Sequence, residues 1–176
     1  MSNRPYIFYG EADSPIGPLT IVATSKGVCK IEFGKVNETM ANLQVWVKKH
    51  FLKSEMVRDE AEIKFVACQL NEYFRGIRTS FDVPLDLHGT PFQKKVWEAL
   101  RQIPHGETRS YKEVAQSMNA GKAVRAIGNA NNKNPLPIII PCHRVIGSNG
   151  SLVGYGGGLQ RKKYLLDIEK VHSKIS

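Results

Sequence analysis

A cysteine and a histidine stand next to each other in the second half of the chain, followed at once by an arginine. A thiol is a strong nucleophile only as a thiolate, and neighbouring imidazole and guanidinium groups lower the pKa of a thiol. The run Cys142-His143-Arg144 is therefore a candidate nucleophile with a base beside it. A buried structural cysteine is the alternative, and composition alone does not separate the two.

The residues before Cys142 favour a chemical role. Residues 138–140 are three consecutive isoleucines, which predict a buried extended segment, and Pro141 ends this segment before the cysteine. The other two cysteines have no such setting. Cys29 falls within a predicted strand, and Cys68 falls within a predicted helix without a polar neighbour that would activate it. We expect both to be core residues.

The number and spacing of the cysteines and histidines argue against a metal site. The three cysteines are widely spaced and include no Cys-x-x-Cys pair, and the five histidines include no pair at ligand spacing. An odd number of cysteines also argues against a disulfide framework. We expect neither a metal nor another cofactor.

The positive charge of the chain is concentrated in its second half. Residues 1–85 contain 11 lysines and arginines against 10 acidic residues, whereas residues 86–176 contain 14 against 6, so that balances of +1 and +8 make up the net charge of +9. A basic half joined to a neutral half indicates a domain that meets a polyanion, most simply nucleic acid. A solvated basic surface without a partner is the alternative.

Length and composition are typical of a soluble protein with one or two small domains. The chain has 176 residues, of which 41% are hydrophobic and 23% charged. No apolar run is long enough to cross a bilayer, and the first residues lack the apolar core of a secretory signal. We expect no membrane association and an intracellular location, which would be cytoplasmic and associated with the nucleoid through DNA binding if the source is prokaryotic.

The first half, residues 1–85, predicts a structural domain of strands and helices. Short aromatic and β-branched runs alternate with Gly, Pro and Ser turns, as in an antiparallel meander of three strands. Amphipathic patterns then predict two helices, the second with a C-terminal signal at Gly76. No residue of this half carries recognisable chemistry. The predicted segments are the meander over 6–34, helices over 37–50 and 60–76, and an extended stretch over 81–87.

The second half, residues 86–176, opens with three predicted helices. Thr90-Pro91 is an N-cap hydroxyl followed by proline at the first helical position, and Ser110 with Glu113 forms a capping box for the next helix. After a turn around Gly121, a third helix is predicted over residues 122–131. Two short helices with a tight turn between them describe a helix-turn-helix, although an ordinary αα-hairpin has the same pattern.

The third predicted helix has few side chains that could read bases. Ala123 and Ala126 are small, so the helix backbone could approach a narrow groove closely, and only Lys122 and Arg125 reach far from it. This composition favours docking in the minor groove with little sequence readout, and one long side chain is available to wedge into the base stack.

Taken together, these motifs resemble a known family. Pro141-Cys142-His143-Arg144-Val145, preceded by Asn134-Pro135 and followed by a loop rich in glycine and tyrosine, resembles the active-site signature of the O6-alkylguanine-DNA alkyltransferases. The resemblance extends from Thr90 to Glu169, and the first half matches in general character only. It implies an α+β fold, with an N-terminal ribonuclease-H-like α/β domain and a C-terminal helical domain of the winged helix-turn-helix type.

The resemblance also assigns roles around the cysteine. Cys142 would accept the alkyl group, His143 would remove the thiol proton through a bound water, and Glu169 would hold the histidine in the required tautomer. Asn134 would pin the turn that carries the cysteine. Because the product is a thioether, each molecule would react once. The role of Arg144 is left open: it is either a surface charge or a residue that stabilises the thiolate.

Further roles follow from the position of the lesion inside the duplex, which requires the nucleotide to leave the stack. By resemblance, Arg125 would fill the gap and Tyr111 would crowd the 3′ phosphate and donate to the base. Without the resemblance, these residues are a phosphate-contacting surface charge and a half-buried aromatic. Val145, Tyr155 and Gly156 would line the base pocket. Some relatives carry serine in place of Gly156, which leaves the preferred alkyl size and activity on O4-alkylthymine open.

Other functions explain less of the sequence. Alkyltransferase-like proteins, which recognise the lesion without repairing it, carry tryptophan where this chain has Cys142. A transcription regulator would leave the Pro-Cys-His-Arg run unexplained, and a cysteine hydrolase would leave the basic half and Arg125 without a purpose. We therefore expect a direct-reversal DNA repair methyltransferase that acts as a monomer on double-stranded DNA containing O6-alkylguanine, with cooperative binding along DNA left open.

Overall fold

Two units make up the chain, which divides between His88 and Gly89, and the structure, a computed structural model, describes residues 4–175. The division lies slightly beyond the predicted boundary at 85/86. Residues 85 and 86 stay with the first unit because Leu85 bridges to Val28 and the amide of Asp86 donates to the carbonyl of Val28 at 2.9 Å. No helix among the described residues is both long and apolar enough to cross a membrane.

The first unit is built on a four-stranded sheet. Its first three strands form the predicted antiparallel meander, with Ile21 opposite Ile31. The sequence did not predict the fourth strand, which lies parallel to the first, with Ile7 opposite Met56. The strands are β1 (Tyr6–Ala12), β2 (Leu19–Thr24), β3 (Gly27–Phe33) and β4 (Glu55–Arg58), in the order β3-β2-β1-β4.

A helix covers each face of this sheet. Because successive side chains of a strand point to opposite faces, Ile7 and Gly10 of β1 face different helices. Ile7 packs in a core cluster with Val22, Cys29, Leu43 and Val47, the last two from helix α1 (Val36–His50). On the other face, a Cβ at Gly10 would lie 3.0 Å from Ile63 of helix α2 (Glu60–Phe74), so glycine permits close packing there.

Cys29 is buried as predicted, but the prediction that Cys68 is a core residue is wrong. The buried face of α2 includes Ile63, Val66 and Leu70, and Cys68 lies on the exposed side of the helix. The error is one of helical phase, since an apolar residue type was read as part of the apolar stripe.

The second unit is mainly helical, and its first two helices start where the caps predict. The hydroxyl of Thr90 accepts from the amide of Gln93 at 3.1 Å, and that of Ser110 accepts from the amide of Glu113 at 3.1 Å. The helices are α3 (Pro91–Arg101), α4 (Tyr111–Ser117), α5 (Val124–Asn132) and α6 (Leu159–Ile175), with short parallel strands β5 (Arg109–Ser110) and β6 (Val145–Ile146). The predicted α+β fold, a sheet domain followed by a helical domain, is confirmed.

Helix α3 packs against both helices of the predicted helix-turn-helix, α4 and α5. The indole Nε1 of Trp97 donates to the carbonyl of Ala130 at 2.9 Å, which fixes α3 against α5. The third predicted helix begins later than expected. Lys122 and Ala123 precede α5, in the turn, because the helix begins at Val124.

Residues 138–140 are buried as predicted, but the predicted extended segment is wrong. The amide of Ile140 donates to the carbonyl of Leu136 at 2.8 Å and closes a tight turn in which Ile138 has φ of 76°. The left-handed region is unfavourable for a β-branched residue, so surrounding contacts must enforce it. The side chain of Asn134 does so, donating to Ile140 O at 2.8 Å and accepting from Leu136 N at 3.0 Å.

Candidate active site

Cys142 follows this strained turn directly and begins a 3₁₀ turn, Cys142–Arg144. Its amide donates at 2.8 Å to the carbonyl of Ile140, the same oxygen that accepts from Asn134. The side chain of Asn134 also forms a hydrogen bond with the thiol, which is buried, with 5% of the residue exposed. Asn134 therefore holds both the backbone before the cysteine and the sulfur itself.

Glu169 joins the two residues that follow the cysteine. Its Oε1 lies 2.7 Å from Nε2 of His143, and Arg144 donates to both carboxylate oxygens, at 2.9 Å from Nε to Oε2 and 2.9 Å from Nη2 to Oε1. The remaining Nη1 of Arg144 donates to the carbonyl of Ile103 at 2.6 Å. All three charged or polar side chains are buried. Arg144 is therefore not a surface charge but the counter-ion of Glu169.

These contacts settle the protonation of the pair. Burial alone would raise the pKa of Glu169, but the hydrogen bond from His143 and the hydrogen bonds and charge of Arg144 outweigh it and hold that pKa well below its ordinary value. An ionised carboxylate only accepts, so Nε2 of His143 carries the hydrogen. Burial lowers the pKa of His143, and the ring is neutral. Its Nδ1 is buried, has no hydrogen-bond partner within residues 4–175, and is free to take a proton.

The sulfur is not activated in the way the sequence predicted. Burial raises the pKa of the Cys142 thiol to about 11, although the hydrogen bond from Asn134 and the charge of Lys162 oppose the rise. The expectation that the adjacent imidazole and guanidinium lower this pKa is wrong, because His143 is neutral and the charge of Arg144 is taken by Glu169. The sulfur rests as a thiol and needs a base at the moment of reaction.

Lys162, on α6, is a site residue that the sequence did not reveal. Its side chain is fully buried, and Nζ donates to the carbonyl of Val145 and, at 2.8 Å, to the carbonyl of Val153. Lys162 thereby joins the strand after the cysteine to the glycine-rich loop, residues 147–158. Burial lowers the pKa of Lys162 to about 8, while the neighbouring Cys142 favours its charged form. The positive charge of its ammonium group favours the thiolate form of Cys142 and so opposes the effect of burial on the pKa of that thiol.

Tyr111 lies between α5 and the glycine-rich loop. Its hydroxyl donates to the carbonyls of Val153 and Gly154 at 3.2 and 3.3 Å. Its ring would lie 3.8 Å from a Cβ at Gly128, in the middle of α5. Burial raises the pKa of Tyr111, with the nearby Cys142 adding to the rise, so the hydroxyl keeps its proton.

Gly156, one of the other predicted pocket residues, lies beside the end of α5. Of the described residues, a Cβ at Gly156 would meet only the carbonyl oxygen of Asn132, at 3.6 Å, so that a serine would fit at this position. The carbonyl of Val145 is occupied by Lys162. Burial raises the pKa of Tyr155 well above its ordinary value.

The predicted residues thus fall into two groups. Cys142, His143, Asn134 and Glu169 meet around the 3₁₀ turn through the bonds given above, whereas the predicted DNA contacts do not join them. Among those contacts Lys122, Arg125 and Ala126 are exposed at the surface of the unit, and Ala123 is half-buried. No group of three or more His, Cys, Asp and Glu side chains in the described part of the chain is arranged to hold a metal.

The raised thiol pKa gives a reactivity prediction. The rate of alkylation by iodoacetamide follows the fraction of thiolate. We expect Cys142 to react far more slowly than the exposed Cys68 at about pH 7, and its rate to keep rising beyond about pH 10, where an ordinary thiol with a pKa of about 8.5 has levelled off. Peptide mass spectrometry gives both rates in one sample. A Cys142 rate that levels off below about pH 10 contradicts the assignment.

Comparisons with known proteins agree with this geometry. The description "6-O-methylguanine DNA methyltransferase, ribonuclease-like domain" matches residues 7–87, and "6-O-methylguanine DNA methyltransferase, DNA binding domain" matches residues 91–171. A methylated-DNA–protein-cysteine methyltransferase of Mycobacterium tuberculosis (strain ATCC 25618 / H37Rv) is 46% identical over 164 residues, 93% of each chain. The inducible methylated-DNA–protein-cysteine methyltransferase of Bacillus subtilis is 40% identical over 169 residues, 96% of this chain and 93% of the relative.

Solved structures show the same similarity across both units. The crystal structure of Mycobacterium tuberculosis O6-methylguanine methyltransferase superposes with a TM-score of 0.78 at 43% identity and covers 94% of each chain. Mycobacterium tuberculosis OGT in complex with DNA superposes with a TM-score of 0.78 at 42% identity, covering 95% of this chain and 94% of the other. The chain belongs to the 6-O-methylguanine DNA methyltransferase family.

Proposed function

We propose that this protein repairs DNA by moving an alkyl group from O6 of guanine to its own Cys142. The observation that carries the proposal is the 3₁₀ turn, in which a buried thiol precedes a neutral imidazole. The Nε2–H of that imidazole is fixed at 2.7 Å by the ionised Glu169. The same unit presents the helix pair α4 and α5, with basic residues at the surface next to α5. A cycling hydrolase has no need of that surface.

The reaction balances with the groups at the site. His143 Nδ1 takes the proton of the Cys142 thiol, directly or through one water, while Lys162 offsets the charge of the thiolate. The sulfur then attacks the alkyl carbon in line. The S–C bond forms as the C–O6 bond breaks, and the electron pair of that bond goes to the guanine. The proton on His143 passes to the guanine, which leaves guanine in the DNA and a thioether on Cys142. No water-driven step restores the thiol, so each molecule reacts once.

The surface of α5 supports base extrusion into this site. Arg125 is exposed near the first turn of the helix, and Ala126 beside it is small enough for the backbone to approach the minor groove. In this proposal Arg125 replaces the extruded nucleotide in the stack, and Lys122 contacts a phosphate from the turn before the helix. Tyr111, at the start of α4, turns the nucleotide towards the pocket, and its hydroxyl then donates to the base in place of the carbonyls of Val153 and Gly154.

The room beside Gly156 supports a broad choice of alkyl groups. Among the described residues only a backbone oxygen lies near a Cβ at this position, so the pocket wall is open there. We expect groups larger than methyl to be accepted, and O4-alkylthymine to enter as a second substrate. All residues that take part in the reaction come from the second unit of a single chain, which fits a monomer. We assign the first unit a structural role.

The proposed reaction predicts a covalent, stoichiometric product. When the reduced protein is mixed with duplex DNA that carries labelled O6-methylguanine, we expect label on Cys142, at one methyl per chain at most. Peptide mass spectrometry locates and counts the label, and Cys142→Ser serves as the unreactive control. Repeated turnover, or label on Cys29 or Cys68 instead, contradicts the proposal.

The wedge role of Arg125 predicts an effect confined to duplex substrates. Unstacking a base costs a few kcal/mol, so Arg125→Ala should slow methyl transfer from duplex DNA about tenfold or more and leave the reaction with free O6-benzylguanine unchanged. Lys94→Ala, which removes one charge from the exposed side of α3, is the matched control and should slow duplex repair much less. Equal slowing of both substrates by Arg125→Ala would remove the wedge role.

A further inference from the structure

Asn131, near the end of α5, has a buried side chain without partners among the described residues. Only 2% of the residue is exposed, yet neither Oδ1 nor Nδ2 finds a hydrogen-bond partner in the part of the chain that the structure describes. Buried polar atoms are almost always paired, because leaving them unpaired is unfavourable. The reaction described above makes no use of this carboxamide, so its retention calls for a separate reason.

The position of Asn131 on the helix places it on the flank towards the base pocket. With 3.6 residues per turn, Asn131 lies between Ile127, which is fully buried in the core, and Gly128, whose position faces the ring of Tyr111. The next residue, Asn132, backs the glycine-rich loop, since its carbonyl oxygen would lie 3.6 Å from a Cβ at Gly156.

The backbone of Asn131 also leads directly to the cysteine. Its carbonyl accepts from the amide of Asn134 at 3.3 Å, and the side chain of Asn134 bonds to the Cys142 thiol. Asn131 thus has neighbours on α5 that lie close to Tyr111 and to the loop at Gly156, and its own backbone bonds to Asn134 of the cysteine turn.

Three other polar side chains around this pocket already have partners inside the protein. Lys162 donates to two loop carbonyls, Asn134 holds the turn before Cys142, and Tyr111 donates to Val153 and Gly154. Asn131 alone among these four offers two donor hydrogens and one acceptor that no described residue uses. A carboxamide of this kind matches the adjacent donors and acceptors on the edge of a purine.

We propose that Asn131 is a specificity-determining residue, whose carboxamide hydrogen-bonds an edge of the extruded alkylated base. The inference rests on the proposed function, because the base must enter the pocket beside Cys142. Once O6 faces the sulfur, the polar groups of O6-alkylguanine that remain free include the 2-amino group, which donates, and the ring nitrogen N7, which accepts, besides the acceptors N1 and N3. Oδ1 of Asn131 suits the first, and the amide hydrogens suit the second.

The test compares Asn131→Leu with the wild type on three duplexes that differ by single groups of the base. They carry O6-methylguanine, O6-methylhypoxanthine, which lacks the 2-amino group, or O6-methyl-7-deazaguanine, which lacks N7. We expect the wild type to react about tenfold more slowly with the analogue that lacks the partner of Asn131, and Asn131→Leu to have lost that discrimination. A purely structural asparagine would change all three rates by the same factor.

Two controls keep the outcome decisive. Asn129→Leu alters an exposed position of the same helix and should discriminate among the three duplexes as the wild type does. Thermal unfolding checks that Asn131→Leu is folded, and Asn131→Ala replaces it if it is not. If the wild type transfers the methyl group but Asn131→Leu discriminates among the three duplexes as the wild type does, this inference alone is overturned. A wild type that transfers no methyl group from O6-methylguanine overturns the proposed function as well.

Discussion

The buried carboxylate of Glu169 is the interaction on which the second unit depends. It comes from α6 and holds His143 and Arg144 of the 3₁₀ turn, while the amide of Gly106 donates to its Oε2 at 3.2 Å. Removing a charge from water is costly, and only a paired and fully hydrogen-bonded carboxylate offsets that cost. Arg144 meets this condition through its forked contact, and its remaining bond to Ile103 ties the turn to the end of α3.

The same carboxylate decides what the cysteine can do. By fixing hydrogen on Nε2 of His143, Glu169 leaves Nδ1 as a base, and by pairing with Arg144 it keeps that cation from acting on the sulfur. Cys142 therefore rests as a protonated, buried thiol. A reagent that can be used once benefits from such an arrangement, because small electrophiles find no thiolate to attack. Lys162 adds a buried cation whose charge favours the thiolate, and its side chain also donates to the carbonyl of Val153 in the glycine-rich loop.

Local signals in the sequence predicted the parts of the fold that local chemistry controls. The caps at Thr90 and Ser110 predicted two helix starts, and the apolar run before Cys142 indicated that residues 138–140 are buried. The conformation of these residues could not be predicted, because Asn134 imposes the left-handed backbone of Ile138 through hydrogen bonds that form only in the folded turn. Strand β4 (Glu55–Arg58) likewise has a weak pattern of its own and forms because β1 offers it an edge.

Two charged residues show what a closer reading of α6 could have revealed. Lys162 and Glu169 are seven positions apart with Leu165 and Leu166 between them, so all four share one helical face, and all four are buried. Charges at apolar spacing indicate buried polar partners rather than solvent. The partners themselves, two carbonyls for Lys162 and the pair His143 and Arg144 for Glu169, come from distant segments and become visible only in the fold.

The protonation state of His143 tests the account most directly. Nitrogen NMR of histidine-labelled protein, with the His143 signals identified by their loss in His143→Gln, reports which ring nitrogen carries hydrogen at about pH 7. The account predicts a neutral ring with hydrogen on Nε2 and a bare Nδ1. An imidazolium, or a neutral ring with its hydrogen on Nδ1, would contradict it, because neither form could take the proton from Cys142.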